Sequence, residues 1–495
     1  MNKAFSGVEK NKNYVIEITG MTHEGQGVGR INGLAVFVDG ALTGEEIEVK
    51  IIKLNKSYAV GKIIEIKRPS PNRIRPFCGA YSRCGGCNLQ HMDYAAQLKL
   101  KAELVRDNLE RIGGLKGVRV HDTIGMEAPY TYRNKAQYPV AEVDGKIVTG
   151  FYAPRSHVVI DSEECGIQDT ASDKIRKAVR QFAAEKGIAA YDETTGKGLL
   201  RHIMTRAGFR TGEMMVVLVI NGRKLPDADE LVKRLVAMEL GQGKDMGCAA
   251  DGYAQNERAG NEFISSGVSS APAIKSIYLN INTNNTNIIL GNDNILLYGS
   301  ETITDTIGEY RFNISPHSFF QVNPIQTEVL YAKALEYAGL TGDETVFDLY
   351  CGIGTISLFL SSKARKVYGV EVVEQAIADA KKNAEQNVVD NVEFICGESE
   401  RIVPELYKQG IKADVVVVDP PRKGCDESLL QLLSEMQPER IVYVSCNPST
   451  LARDLKFMST NGYSVEEAQP VDMFPWSGHV EAIVLMTYCG SKEIK

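Results

Sequence analysis

Along the first 68 residues apolar and polar side chains alternate with a period of two. Tyr14–Thr19, Gly27–Ile31, Leu34–Val38, Glu46–Leu54 and Tyr58–Lys67 each carry the pattern, and Gly25-Gln26-Gly27 and Asp39-Gly40 break it. Side chains on a strand point alternately to opposite faces, so this predicts short strands with one buried side. Five of them in residues 1–68 suggest a small closed barrel of the oligonucleotide-binding type. Pro69-Ser70-Pro71 reads as a linker. Beyond it, Leu98, Val105, Leu109 and Ile112 recur at helical spacing over Tyr94–Ile112 and stop at Gly113-Gly114, so 94–113 is a helix, expected to pack on the carboxyl-terminal domain. From Lys135 to about Asn221 strands surround one helix near Ser172–Lys186, predicting an α+β central domain over 69–309. Inside it, Leu240–Ala273 loses all periodicity, is rich in Gly, Ala, Ser, Asn and Asp, and holds a solitary Cys248. It reads as an exposed, flexible insertion.

The rhythm changes again within residues 310–495. A helix over Gln321–Ala338 is followed by Thr345–Leu349, Ile353–Ser361, Lys366–Val370, Val373–Asn387, Val392–Ile395, Ala413–Val418 and Arg440–Ser445, strands alternating with helices. Such repetition implies a parallel sheet covered on both faces. Val415–Val418 is the unbroken apolar run of a strand buried on both sides.

Composition adds three constraints. With 43% hydrophobic and 24% charged residues, the chain is that of a multidomain globular protein. It shows no apolar run of membrane-spanning length and no secretory leader, so no membrane partner is expected. Ten cysteines without an export signal point to metal binding or catalysis in a reducing cytoplasm. The net charge of −7 is unevenly spread: residues 51–119 sum to +9 and the remainder to −16. A basic stretch on an acidic protein suits a phosphate backbone, although a solvated basic face has the same composition.

The candidate chemistry lies at strand ends. Asp348-Leu349-Tyr350-Cys351-Gly352-Ile353-Gly354-Thr355 joins the first strand to the first helix, and its two glycines allow a ligand close to the backbone. Position 357 is Ser, so the dinucleotide pattern GxGxxG is absent. Glu371, about twenty residues on, stands where an acid can accept both ribose hydroxyls of an adenosine. Asp419-Pro420-Pro421-Arg422 is a rigid turn that aims a carboxylate and carbonyls into the same crevice. Base-amine methyltransferases use a comparable turn with an aromatic after the prolines. Arg422 there argues against an exocyclic amine as target.

Ser445-Cys446-Asn447-Pro448 ends the next strand on the same edge. Carbon 5 of a uracil accepts a methyl group only after a thiolate adds to carbon 6, and a base must then remove the carbon-5 proton. Cys446 is the candidate nucleophile and Glu481, in Gly478-His479-Val480-Glu481, the candidate base; His479 is its rival because its ordinary pKa is nearer neutral. Cys351 and Cys425 are weaker candidates, the latter carrying the alternative of cytosine chemistry. Cys78, Cys84 and Cys87 cluster within ten residues, and Cys165 would supply a fourth thiolate. Four thiolates suit zinc or a [4Fe–4S] cluster, and spacing leaves both open.

Together these residues resemble the RNA uracil-5-methyltransferase family, in particular its 23S ribosomal RNA branch. Thr22-His23-Glu24-Gly25-Gln26-Gly27-Val28-Gly29 is similar to that family's TRAM barrel, and Cys84-Gly85-Gly86-Cys87-Asn88-Leu89-Gln90-His91 to its cluster motif. Tyr132-Arg133-Asn134-Lys135-Ala136-Gln137 and Phe319-Phe320-Gln321-Val322-Asn323 also match family motifs. The resemblance implies an α/β fold: a Rossmann-like class I methyltransferase domain preceded by a TRAM/OB-like β-barrel and an α+β central domain. It implies that Gln321, Tyr350, Glu371 and Asp419 contact S-adenosylmethionine, and that Cys446 is nucleophile and Glu481 base. It further implies that Cys78, Cys84, Cys87 and Cys165 hold [4Fe–4S], with zinc as alternative. The expected partner is ribosomal RNA, bound by a monomer with no obligate protein partner. Alternatives are a transfer-RNA uridine-5 or RNA cytosine-5 methyltransferase, or a non-catalytic RNA-binding or ribosome-assembly protein. The 240–273 insertion has no counterpart in the family pattern.

Overall fold

The computed structural model describes residues 7–241 and 271–490. Alternation in the first segment becomes a closed five-stranded barrel: β1 (Asn13–Met21), β2 (Gln26–Ile31), β3 (Leu34–Asp39), β4 (Glu46–Leu54) and β5 (Tyr58–Arg68), in the order β1-β2-β3-β5-β4. Ile16, Ile18, Val36, Val38, Ile47, Val49 and Ile51 fill its interior. Pairing of β1 with β4 closes the ring and removes both sheet edges. Buried Glu45 takes Arg73 of the following linker in a two-point ion pair at 2.5 and 2.8 Å. Burial alone would raise this carboxyl; the guanidinium and the Leu42 and Ser70 amides outweigh it and hold the carboxyl low.

Helix α1 (Tyr94–Arg111), capped by Asp93, crosses to the carboxyl-terminal unit. There the short β6 (Arg119–Val120) adds to the far sheet's edge, parallel to a late strand. The central unit contains β7 (Lys135–Val143), β8 (Lys146–Tyr152), β9 (Val159–Asp161), α2 (Thr170–Glu185), β10 (Leu200–Ala207), β11 (Glu213–Ile220), α3 (Ala228–Val236), β12 (Ala273–Ile281) and β13 (Asp293–Gly299). Its seven strands run β13-β12-β11-β10-β7-β8-β9, with α2 and α3 on one face. The segment read as an insertion lies mostly outside the described residues, Cys248 included. Of its two described ends, Leu240 is buried in the central core, unlike an exposed insertion, while Ala273 is exposed and opens β12 beside Glu213. Leu240 packs on residues far away in sequence, which local pattern does not register.

A hairpin, β14 (Ile303–Ile307) and β15 (Tyr310–Ile314), leads into α4 (Pro324–Ala338). That helix begins three residues later than the hydrophobic pattern suggests. Asn323 caps it by accepting from the Gln326 amide, Pro324 occupies the first turn, and a residue before proline avoids helical geometry. Gln321 is thereby left in extended chain.

Beyond it follow β16 (Thr345–Leu349), α5 (Thr355–Ser361), β17 (Lys366–Glu371), α6 (Glu374–Gln386), β18 (Val392–Cys396), α7 (Ser399–Lys408), β19 (Val415–Val418), α8 (Glu427–Met436), β20 (Arg440–Ser445), α9 (Pro448–Thr460), β21 (Tyr463–Val471) and β22 (Glu481–Tyr488). The sheet order is β18-β17-β16-β19-β20-β22-β21-β6, parallel from β18 to β20, with β22 antiparallel to β20. The connections reverse direction between β16 and β19. This opens a crevice at the strands' carboxyl ends, where such sheets bind ligands. Among the described residues no helix is long and apolar enough to cross a membrane.

Candidate active site

The crevice floor is the turn after β16. Tyr350 and Cys351 donate their amides to the Val370 carbonyl at 2.9 and 3.1 Å, folding the turn back onto β17. Tyr350 (φ 68°), Gly352 (φ 55°) and Gly354 (φ 81°) are left-handed. A Cβ on Gly354 would lie 2.6 Å from Phe394, whereas one on Gly352 would meet nothing within 4 Å. Gly354 is thus required by packing; Gly352 faces open space. Glu371 spans the same turn, accepting the Gly352 amide at 3.3 Å and the Val373 amide at 2.9 Å.

Asp348 is fully buried below this turn. One of its oxygens takes the Ser357 hydroxyl at 2.5 Å and the other has no partner. Burial pushes the carboxyl up to about 7, with Asp419 and Glu371 adding to it. Tyr331 of α4 closes the side of the crevice, its hydroxyl 3.0 Å from the Thr355 hydroxyl and its ring within the field of Asp419, Asp348 and Glu481. Sequence reading missed Tyr331, because on α4 it is one apolar-face residue among several. Gln321 is held through its backbone: its carbonyl accepts from Asn134 at 2.9 Å.

Asp419, Cys446, Glu481 and Arg422 form the second half of the site. The Pro-Pro turn is tied to the cysteine turn by Asn447 and Thr450, which both donate to the Arg422 carbonyl, at 3.0 and 3.2 Å. Asn447 also caps α9 through the Ser449 amide, with Pro448 in its first turn. These local bonds fix Cys446 just beyond β20 and leave it half-buried. Glu481 begins β22 and is 5% exposed.

The three acidic groups interact. Burial, together with Asp419, pushes Glu481 up to about 8, against the pull of Arg422. Burial alone pushes Asp419 up to about 7. Burial pushes the Cys446 thiol up to about 11, with Glu481 and Asp419 adding to it and Arg422 opposing. Cys446 and Glu481 therefore share one electrostatic environment, in which Arg422 is the group that favours the thiolate.

The rival groups sit elsewhere or differently. His479 is exposed at the rim, against Phe474. Partial cover of its ring depresses its pKa, and Arg422, Lys101 and Arg133 add to it. Cys425 is buried behind the sheet, where burial pushes it up to about 12 and its amide bonds to Asp454 at 2.9 Å. Cys351 is likewise a core thiol.

The four remaining cysteines named above lie in one region and none forms a disulfide. Burial raises Cys84 and pushes Cys87 and Cys165 up to about 12, and the Cys78 charge acts on all three. Cys87 and Cys165 both pack on the Trp476 cluster. Among the described residues, however, no three His, Cys, Asp or Glu side chains are close enough to form a ready metal site.

A doubly wound sheet with a glycine turn and acidic strand ends at its switch point defines a class I methyltransferase. The tRNA (Uracil-5-)-methyltransferase family matches residues 274–488, and the TRAM domain matches residues 7–64. An uncharacterized RNA methyltransferase of Clostridium tetani is 53% identical over 486 residues, covering 98% of each chain. Another, of Halalkalibacterium halodurans, is 47% identical over 478 residues, covering 96% of this chain and 97% of the relative. The crystal structure of Pyrococcus abyssi tRNA (uracil-54, C5)-methyltransferase in complex with S-adenosyl-L-homocysteine superposes with TM-score 0.72 at 27% identity, over 96% of this chain and 100% of that one. The chain belongs to the RNA uracil-5-methyltransferase family, and it is an RNA methyltransferase with S-adenosylmethionine as methyl donor.

Proposed function

We propose that this enzyme methylates carbon 5 of a uridine in 23S ribosomal RNA, through Cys446 and Glu481. The observation that carries the reading is the convergence of Cys446, Glu481, Asp419 and Arg422 on one field beside the glycine turn. Gln321, Tyr350, Glu371 and Asp419 are the proposed donor contacts, Glu371 toward the ribose hydroxyls. Open space at Gly352 suits a ligand lying on the turn.

In the reaction, Cys446 gives up its proton to solvent water and its thiolate adds to carbon 6 of a flipped-out uracil. Carbon 5 then accepts the sulfonium methyl, and S-adenosylhomocysteine is left. Glu481, ionised at that stage, removes the carbon-5 proton; the carbon 6–sulfur bond breaks and the thiolate returns. Glu481 has a pKa close to the working range of a general base. The place of His479 at the exposed rim fits it better to contacting RNA.

Ribosomal RNA is favoured by the cysteine-loop motif. Transfer RNA is the second reading, favoured by the fold likeness to the Pyrococcus enzyme. Mapping 5-methyluridine by mass spectrometry in ribosomal and transfer RNA, with and without the gene, separates the two. Loss of a 23S site supports the first, loss of a transfer-RNA site the second, and no loss in either contradicts both.

A [4Fe–4S] cluster on Cys78, Cys84, Cys87 and Cys165 is part of the same proposal. Free thiols grouped beside Cys78, with Cys84, Cys87 and Cys165 held protonated by burial, are what a metal would convert to thiolates. Because the four are not placed as a closed ligand set, binding would have to draw them together. Iron and acid-labile sulfide after anaerobic purification support the cluster; zinc alone supports the other metal; neither leaves the cysteines structural.

A further inference from the structure

Among the described residues, the central sheet carries cations with no counter-charge where it meets the catalytic unit. Lys135, the first residue of β7, lies directly across from Arg206 of β10. Arg206 is 4% exposed and spends its guanidinium on the Pro316 and Ser318 carbonyls at 3.2 and 2.6 Å, leaving its Nε without a partner. Those two bonds fix the turn that presents His317 at the surface. Arg133, two residues before Lys135, also has an unpartnered buried Nε. Burial, with Arg206 and Arg133 adding to it, depresses the Lys135 ammonium to about 7, and no carboxylate contributes. The partly covered ring of His317 is depressed by that cover and by Arg206 and Lys135.

Like charges held together in a half-buried site cost free energy unless an anion joins them. The site's position indicates which anion. Asn134, between Arg133 and Lys135, is bonded to Gln321 and Val322, so this strand end is stitched to the segment beside the donor crevice. Arg133 also acts on His479 at the catalytic rim. The cations therefore continue from the rim onto the central sheet.

We propose that Lys135, with Arg133 and His317 and oriented by Arg206, forms a phosphodiester site that grips the RNA backbone next to the flipped uridine. This rests on the RNA-methylation reading above. The test measures binding of an unmodified single-stranded RNA containing uridine, as a function of salt, to the full chain and to Lys135→Met, Lys135→Arg and His317→Gln. Loss of one phosphate contact lowers the slope of log K against log salt by about 0.7–0.9. Lys135→Met should show that loss and bind RNA on the order of tenfold more weakly, Lys135→Arg should restore both, and S-adenosylmethionine affinity should not change. An unaltered slope and affinity in both Lys135→Met and His317→Gln would overturn the proposal. Inorganic phosphate is the second probe: if it stabilises wild type but not Lys135→Met while RNA slopes stay equal, the site takes free phosphate and the RNA assignment is wrong. Wild type that binds RNA but makes no 5-methyluridine would contradict the methylation reading instead, and the slope comparison would still decide the site.

Discussion

The strand-edge positions of Cys446 and Glu481 were legible in the residues, Cys446 just beyond β20 and Glu481 at the start of β22. Their protonation was not, because it depends on burial created by chain segments far apart in sequence. The consequence for pH has a definite sign. The folded pKa of Glu481 is raised from 4.5 to about 8, and that of Asp419 from 3.8 to about 7. The native state thus keeps protons that the unfolded chain releases. The stability these acids contribute is full below their unfolded pKa values and is lost as pH rises through about 7 and 8. The ligand-free enzyme should therefore lose thermal stability between pH 5 and 9, by on the order of a few kcal/mol in all. Glu481→Gln and Asp419→Asn should each flatten that profile in a melting series, and a parallel wild-type slope in both would contradict the burial argument. Cys446→Ala should abolish 5-methyluridine formation while S-adenosylmethionine binding, measured by calorimetry, stays within about twofold.

At the level of elements, β16–β20 and their first helices were legible because a buried parallel strand leaves a continuous apolar run and its helix a 3.6-residue period. What escaped were α7, α8 and α9, and the hairpin β14–β15, whose short faces are defined by tertiary partners. The start of α4 escaped for a different reason: the apolar pattern runs on through Gln321, but Asn323-Pro324 dictates the cap. The glycine turn offers a test at this scale. Gly354→Ala pairs a left-handed backbone with a 2.6 Å clash against Phe394, so it should destabilise the fold by about 2 kcal/mol or more. Gly352→Ala meets no atom, so its strain cost should be about 1 kcal/mol while donor affinity falls well over tenfold. Denaturation midpoints and donor titrations of both variants check this; equal losses of stability would mean Gly352 is also a packing glycine.

Across the whole molecule, three units meet at the loop that leads into Glu481. Asn88 of the cysteine loop accepts the Gly478 amide at 2.9 Å and donates to the barrel's Glu24 carbonyl at 2.6 Å, while the Asn88 and Leu89 amides bond the Trp476 carbonyl. Lys101 of α1 forms a wholly buried ion pair with Asp472 at 2.5 Å. The sequence showed the +9 stretch but not this use of it: Lys101 and Arg73 are spent on internal pairs, so fewer of its cations face RNA than the count suggests. Lys101→Met strands a buried carboxylate and should cost about 3–5 kcal/mol in chemical denaturation, with much of the loss recovered by adding Asp472→Asn. The Asn88 and Lys101 contacts converge on the strand start where Glu481 is proposed to act with Cys446. The most direct measurement uses Glu481→Gln incubated with substrate RNA and S-adenosylmethionine, followed by denaturing electrophoresis and peptide mapping. The expected product is a protein–RNA adduct joined at Cys446 that carries the transferred methyl group and does not release. Normal turnover with no adduct, or an adduct mapped to another cysteine, would contradict it.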